Sequence, residues 1–124
     1  MFWFESETYK TFHATLLKDI NDCCLSAKIA DMEWINSSYN NDATGSIMFE
    51  LTDDGENYVQ LFAFETIDDA VFELGEGGKQ YGIVTCRSGE ARHDGREGHD
   101  REGAMVQAII EAENLMSDTE SHNV

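Results

Sequence analysis

Residues 46–65 read SIMFELTDDGENYVQLFAFE, and this stretch sets the architecture of the chain. Every second side chain is apolar over 46–52, which is the period of a strand with one buried face. Residues 53–56 form a turn by composition, because Asp and Gly tolerate the left-handed conformation that a hairpin needs. Residues 58–65 are the returning strand. The stretch therefore predicts a β-hairpin.

The flanking residues extend this hairpin into an antiparallel sheet. We predict a strand over 29–37, a turn at 40–45 and a further strand over 79–86. Residues 66–74 fit either a short helix capped by Thr66 or another strand, and the glycine-rich residues that follow end the element in both cases.

Helical periodicity is found on both sides of these strands. Over residues 6–29, apolar side chains recur at three- and four-residue spacing, with Ser6 as the N-cap and Glu7 favourably placed in the first turn. The same spacing returns over 104–116. The pattern predicts an α+β fold: an antiparallel sheet of about four strands with an N-terminal and a C-terminal helix packed on it.

Length and composition narrow the function classes. The 124 residues suit one domain, predicted over 1–116, with a frayed tail at 117–124. Hydrophobic residues make up 41%, too much for a disordered acidic tail, and no apolar run reaches the ~20 residues of a membrane span. The N-terminus lacks the basic segment of a signal peptide, so we expect a cytoplasmic protein. The net charge of −17 argues against direct binding to nucleic acid or to an anionic membrane.

The acids are concentrated in a segment without counter-charge. Between Lys28 and Lys79, 50 consecutive residues contain twelve Asp and Glu and no Lys or Arg. Such carboxylates repel one another, which lowers stability unless salt or a basic partner neutralises them. The charge has three explanations: solubility alone, adaptation to high salt, or docking on a basic protein surface. Nucleic-acid-binding clefts are the commonest such surfaces, because their Lys and Arg neutralise phosphates.

In size, acidity and lack of a catalytic motif, the chain is similar to phage-borne inhibitors of host defence. These include anti-CRISPR and anti-restriction proteins that mimic DNA. The resemblance implies a compact protein that occupies a basic cleft in place of nucleic acid, and it carries over no residue because the class shares no motif. The outline also resembles type III secretion chaperones, which are small acidic α+β homodimers that bind clients through apolar surface.

Half of the basic residues lie in a mixed-charge segment, residues 87–103. Its core, RHDGREGHDREG over 92–103, is a degenerate repeat with three glycines and no apolar side chain. This composition predicts a mobile loop over 88–102, whose arginines can bind carboxylates of a partner or of the protein itself. His and Asp are also metal ligands, but His93 and His99 match no standard zinc spacing.

The sequence identifies no reaction. Cys23, Cys24 and Cys86 are an odd set without the spacing of a disulfide framework, which suggests a reducing compartment. Cys86 near His93 is a candidate nucleophile, but a cysteine at a strand end is more often a small packing residue. A pyrophosphatase-like box beginning at Arg101 lacks the paired acids it needs. We therefore expect a non-enzymatic protein with no metal and no cofactor.

The sequence thus predicts an acidic inhibitor that occupies a basic, nucleic-acid-binding surface of a target, such as a defence or regulatory complex. We expect a monomer or a homodimer. The alternative is a secretion-chaperone or immunity-type protein that binds a client through apolar surface. The candidate partner-binding residues are the central acids and the loop arginines: Glu50, Asp53, Asp54, Glu56, Glu65, Asp68, Asp69, Glu73, Glu76, Arg92, Arg96 and Arg101.

Overall fold

The strands form a five-stranded antiparallel sheet in the order β1-β2-β3-β4-β5. The computed structural model describes residues 6–22, 33–38, 45–52, 55–77, 79–93 and 100–122. The strands are β1 (Trp34–Asn36), β2 (Gly45–Glu50), β3 (Tyr58–Ala63), β4 (Tyr81–Arg87) and β5 (Glu90–His93). The helices are α1 (Glu7–Asp22), α2 (Ile67–Leu74) and α3 (Arg101–His122). Each strand pairs with the strand before it in the chain, so the sheet is a meander.

The two long helices, α1 and α3, pack on the same face of the sheet. Their apolar side chains join alternate strand side chains in one hydrophobic core. Ile47, Leu61 and Ile83 lie side by side in the register of β2, β3 and β4. Each is at most 2% exposed. The predicted α+β fold is therefore confirmed, with five strands where about four were expected.

The opposite face of the sheet carries the other half of the strand side chains, because successive residues of a strand point to opposite sides. Met48, Gln60 and Val84 form a row across this face. Glu50 belongs to it at the end of β2, directly across from Tyr58. The side chains on this face are mainly neutral, so the face does not carry an array of carboxylates.

A side-chain cap begins each helix of the described ranges. Ser6 Oγ and Thr66 Oγ1 each accept a hydrogen bond of 3.1 Å from the backbone N–H three residues later. Both predicted caps are thus confirmed, and residues 67–74 are a helix and not a strand. Asp100 Oδ1 accepts at 2.7 Å from Gly103 N in the same way. This cap explains why α3 begins at Arg101, three residues before the predicted start.

The prediction of a loop over 88–102 is wrong at both ends of the segment, where a strand and the start of α3 are found. Strand β4 continues to Arg87, and Glu90–His93 pair with it as β5. The two-residue connection has positive φ at both positions, 51° at Ser88 and 82° at Gly89. A type I′ hairpin turn requires positive φ at both of its central residues. Residues 94–99 lie outside the described residues, and the mobility expected over 88–102 stays a prediction.

Other element boundaries also differ from those predicted. The first helix is described as far as Asp22 and the first strand from Trp34, so the predicted boundary at residue 29 lies outside the described residues. The predicted helix end at residue 116 is too early, because α3 runs on to His122.

Two residues, Tyr9 and His13, connect α1 to the start of β2. Tyr9 Oη accepts a 2.9 Å hydrogen bond from Gly45 N and donates one to the Ala63 carbonyl of β3. His13 is buried and its Nε2 donates at 2.8 Å to the Ser46 carbonyl. Burial lowers the pKa of His13, and the hydrogen bond to Ser46 opposes that shift without overcoming it. The neutral ring is therefore part of the α1–β2 contact.

Candidate functional site

The candidate acids lie at two opposite ends of the sheet. The β2–β3 and β4–β5 connections meet at one end, where Gly89 N donates at 2.9 Å to the Glu56 carbonyl. Strand β3 then crosses the sheet, and α2 connects β3 to β4 at the other end. We call these the hairpin end, with Glu50 and Glu56, and the α2 end. A six-residue strand separates them by about 17–20 Å.

The hairpin end holds its acids on a fixed backbone. Glu50 and Glu56 are exposed, and Cys86 Sγ donates at 3.3 Å to the same Glu56 carbonyl that Gly89 reaches. Asn57 Oδ1 accepts at 3.0 Å from Ser88 N, which joins the two connections a second time. Asp53 and Asp54 belong to the same connection and lie outside the described residues.

The α2 end carries the other described candidate acids. Glu65 is half-buried, whereas Asp68, Asp69 and Glu76 are exposed; the side chain of Glu73 lies outside the described part. Asp68 and Asp69 occupy the first turn of α2, where their charge suits the helix dipole. Gln80 donates to the backbone carbonyl of Glu65 at 2.8 Å, which fastens the start of this connection to the start of β4.

An exposed apolar surface on α2, formed by Ile67, Val71 and Phe72, was not anticipated from the sequence. Ile67, Val71 and Phe72 are 48%, 41% and 83% exposed, whereas Ala70 is fully buried. Two residues along a helix correspond to about 200° of rotation, so Phe72 points away from the face that buries Ala70. The exposure of these side chains could be inferred from the sequence only after residues 66–74 had been assigned to a helix.

Two arginines of the mixed-charge segment, Arg92 and Arg101, bind the protein's own carboxylates. Arg92 forms an exposed 2.8 Å ion pair with Glu90, two residues earlier on β5. Arg101 pairs with Asp19 and links the first turn of α3 to α1. Arg96 lies outside the described residues. Among the described residues, Arg92 and Arg101 are therefore paired with Glu90 and Asp19, which are not candidate acids.

The groups considered for nucleophilic or metal chemistry have structural roles where they are described. Cys86 is buried and its thiol donates to a backbone carbonyl. Asp100 caps α3. The backbone of His93 pairs with Val84, diagonal to Cys86, and its side chain is outside the described part. Within the described ranges, no three His, Cys, Asp or Glu residues are grouped so as to hold a metal ion.

Comparisons with known proteins give no identification. No protein-family model matches the chain, and no curated protein or solved structure does so either. In the described residues, no helix has the length and apolar character needed to cross a membrane. Function must therefore be argued from the charge and geometry of the two ends.

Added salt is expected to raise the melting temperature by several degrees. Ion pairs between described residues include Lys10–Glu7, Lys18–Asp22, Arg92–Glu90 and Arg101–Asp19. Eight bases cannot neutralise 25 acids, so the remaining carboxylates repel one another. Raising ionic strength from about 0.01 to 0.15 M shortens the screening length from about 30 to 8 Å and weakens this repulsion.

Circular dichroism melts across that range of salt measure the effect. The control is the same series at pH 4, where many carboxylates are protonated and the salt dependence should shrink. A melting temperature that does not change with salt at pH 7 contradicts the prediction and means that the acids are too dispersed to repel.

Proposed function

We propose that the chain is a non-enzymatic acidic binding protein that occupies a basic, nucleic-acid-binding surface of a target protein. The observation that carries this proposal is the placement of carboxylates at both ends of one sheet, within a 50-residue segment that contains no Lys or Arg. The two ends give the protein a pair of acid-rich regions, with Arg87 also at the hairpin end, that can engage a basic cleft at two points.

The mechanism is steric and electrostatic. The negative field attracts the basic surface and accelerates encounter, and the folded domain then blocks access of nucleic acid. The end of β2, a connection whose backbone is hydrogen-bonded to the β4–β5 turn, and a capped helix hold the described acidic residues. Less conformational freedom is therefore lost on binding than in a flexible acidic tail. This mode of action is that of the phage-borne defence inhibitors to which the sequence is similar.

Client binding through apolar surface is the second candidate function, and the exposure of Phe72 favours it. The two candidates differ in their response to salt. Binding led by charge weakens steeply between 50 and 300 mM salt, since exposed charges are screened beyond ~8 Å at physiological ionic strength. Binding led by apolar contact changes little over the same range.

Identification of the target tests the proposal directly. The tagged protein is used for affinity capture from lysate, and bound proteins are identified by mass spectrometry. The captured target is then loaded with a fluorescent oligonucleotide, whose anisotropy falls on displacement. The proposal requires stoichiometric displacement that weakens with salt. A target without nucleic-acid affinity, or one that binds the protein and the oligonucleotide together, contradicts it.

Charge reversal at either end is expected to slow association with that target. The paired changes Glu50→Lys with Glu56→Lys, and Asp68→Lys with Asp69→Lys, each alter the net charge by four units at one end of the sheet. Each should reduce the association rate about tenfold at low salt, because steering is lost, with smaller changes in dissociation. Stopped-flow fluorescence measures both rates, and circular dichroism verifies that each variant folds.

The matched control is Asp118→Lys with Glu120→Lys, which makes the same change in net charge near the C-terminal end of α3. The control should change the rate by less than about threefold. Equal effects in all three variants would mean that only net charge matters. No effect in any variant would favour the second candidate.

A further inference from the structure

Helix α2 presents an apolar side chain to solvent in a defined orientation. Phe72 is 83% exposed, while Ala70 anchors the opposite side of the helix at 0% exposure. The helix is fixed at both ends: Thr66 caps its start, and Gly75 N donates at 2.8 Å to the Val71 carbonyl at its end. Gly75 has φ of 89°, which glycine adopts without strain. Phe72 is therefore displayed by a capped element and not by a loose loop.

The charged residues closest to Phe72 in the sequence are all acidic. Residues 65–76 contain five Asp and Glu and no Lys or Arg. Asp68 and Asp69 precede Phe72 by four and three residues, so they are its neighbours on the helix surface. Ile67 and Val71, 48% and 41% exposed, lie four residues apart and add apolar surface on the adjoining side of α2. An exposed aromatic side chain beside a ring of charge is the composition of a protein-binding hot spot and its rim.

Charge complementarity indicates which partner can bind this apolar surface of α2. A second copy of the chain carries a charge of −17 and would bring like charges together around the apolar contact. Anionic lipid headgroups and nucleic-acid phosphates are repelled by the same acids. A protein surface with an apolar pocket rimmed by Lys and Arg is complementary both to the apolar surface of α2 and to the acids beside it.

We propose that Phe72 is the anchor by which α2 docks into a Lys- and Arg-rimmed apolar pocket of the target protein. The inference rests on the proposed function and assigns its specificity to one element: the acids of both ends attract the basic surface, and Phe72 fixes the position on it. Aromatic anchors that fill pockets carry a large share of binding energy, whereas rim charges mainly govern the rate of encounter.

Two synthetic peptides of equal length and equal lysine content test the anchor without the target. One is an amphipathic Lys/Leu helix, and the other has every leucine replaced by serine. Titration into the isotope-labelled protein, followed by amide chemical shifts, should show the Lys/Leu peptide binding at least about tenfold more tightly. The largest shifts should fall on residues 66–76.

Substitution of Phe72 supplies the decisive comparison. Phe72→Ala should reduce Lys/Leu binding to the level of the Lys/Ser peptide and leave Lys/Ser binding unchanged. Phe72→Leu should retain most of the affinity, since an apolar anchor remains. The matched control is Ile110→Ala, which removes another exposed apolar side chain, 38% exposed, from α3 and should have no effect. Unchanged amide spectra away from α2 establish that the variants are folded.

The outcomes separate this inference from the proposed function. Equal binding of the two peptides, or indifference to Phe72→Ala, overturns the anchor and leaves charge-led binding intact. Failure of the Lys/Ser peptide to bind at low salt overturns the proposed function itself. Sedimentation that shows a dimer lost in Phe72→Ala makes a second copy the occupant, and Phe72-dependent binding to phosphatidylglycerol vesicles makes it a membrane; either result overturns the inference.

Discussion

Leu61→Ala is expected to lower the free energy of unfolding by about 3 kcal/mol. Leu61 is fully buried at the centre of β3, between Ile47 and Ile83 in the register and beneath the two helices. Removal of its side chain loses apolar burial and leaves a cavity, because the neighbouring strands cannot close the gap. Urea denaturation monitored by circular dichroism measures the change.

Phe62→Ala is the matched control, since Phe62 is the next residue of the same strand and points to the opposite face. Its side chain is larger but only half-buried. It should therefore cost less than Leu61→Ala, about 1–2 kcal/mol, because part of its surface is already in contact with water. An equal or larger cost would contradict the arrangement in which α1 and α3 pack on one face only.

Gly45→Ala is expected to destabilise the protein by about 2 kcal/mol, although alanine ordinarily suits a strand better than glycine. A Cβ atom at position 45 would lie 2.5 Å from Cδ2 of His13. The His13 ring cannot swing aside easily, because it is buried and bonded to the Ser46 carbonyl. The added methyl group therefore forces α1 away from β2. The same urea titration measures the loss.

A double-mutant cycle identifies the cause. In a His13→Ala background, Gly45→Ala should cost at least about 1 kcal/mol less than in the native chain, since the clashing ring is gone. Additive effects of the two substitutions would mean that the loss arises elsewhere, for example from the nearby contact of Gly45 N with Tyr9.

The sequence predicted those elements whose local pattern agreed with their final packing. The hairpin over 46–65 was predicted because its apolar alternation matches the face covered by α1 and α3. Residues 90–93, Glu-Ala-Arg-His, have no such alternation and therefore gave no strand signal. Their pairing with β4 depends on the tight turn at Ser88 and Gly89 and on an available strand edge, which is tertiary information.

The acids of the candidate site could be identified from the sequence, but their arrangement could not. Glu56 and Asp68 are close in sequence and lie at opposite ends of the sheet, because β3 crosses it between them. The exposure of Phe72 could not be predicted from the composition either, since it depends on which side of α2 packs against the domain through Ala70. The charge of a side chain can be read from the sequence, whereas the direction in which the side chain points is known only from the fold.

Because α3 follows all five strands in the sequence, its position affects how the chain folds during translation. This helix supplies much of the core that covers β3 and β4: Ala104, Met105, Ala108, Ile109, Ala112 and Leu115. The meander emerges first, and its helix-side apolar face stays incomplete until these residues have been translated. Nascent chains that stall before residue 101 would expose that face to chaperones and proteases. The hydrophobic core can therefore be completed only after α3 has been translated.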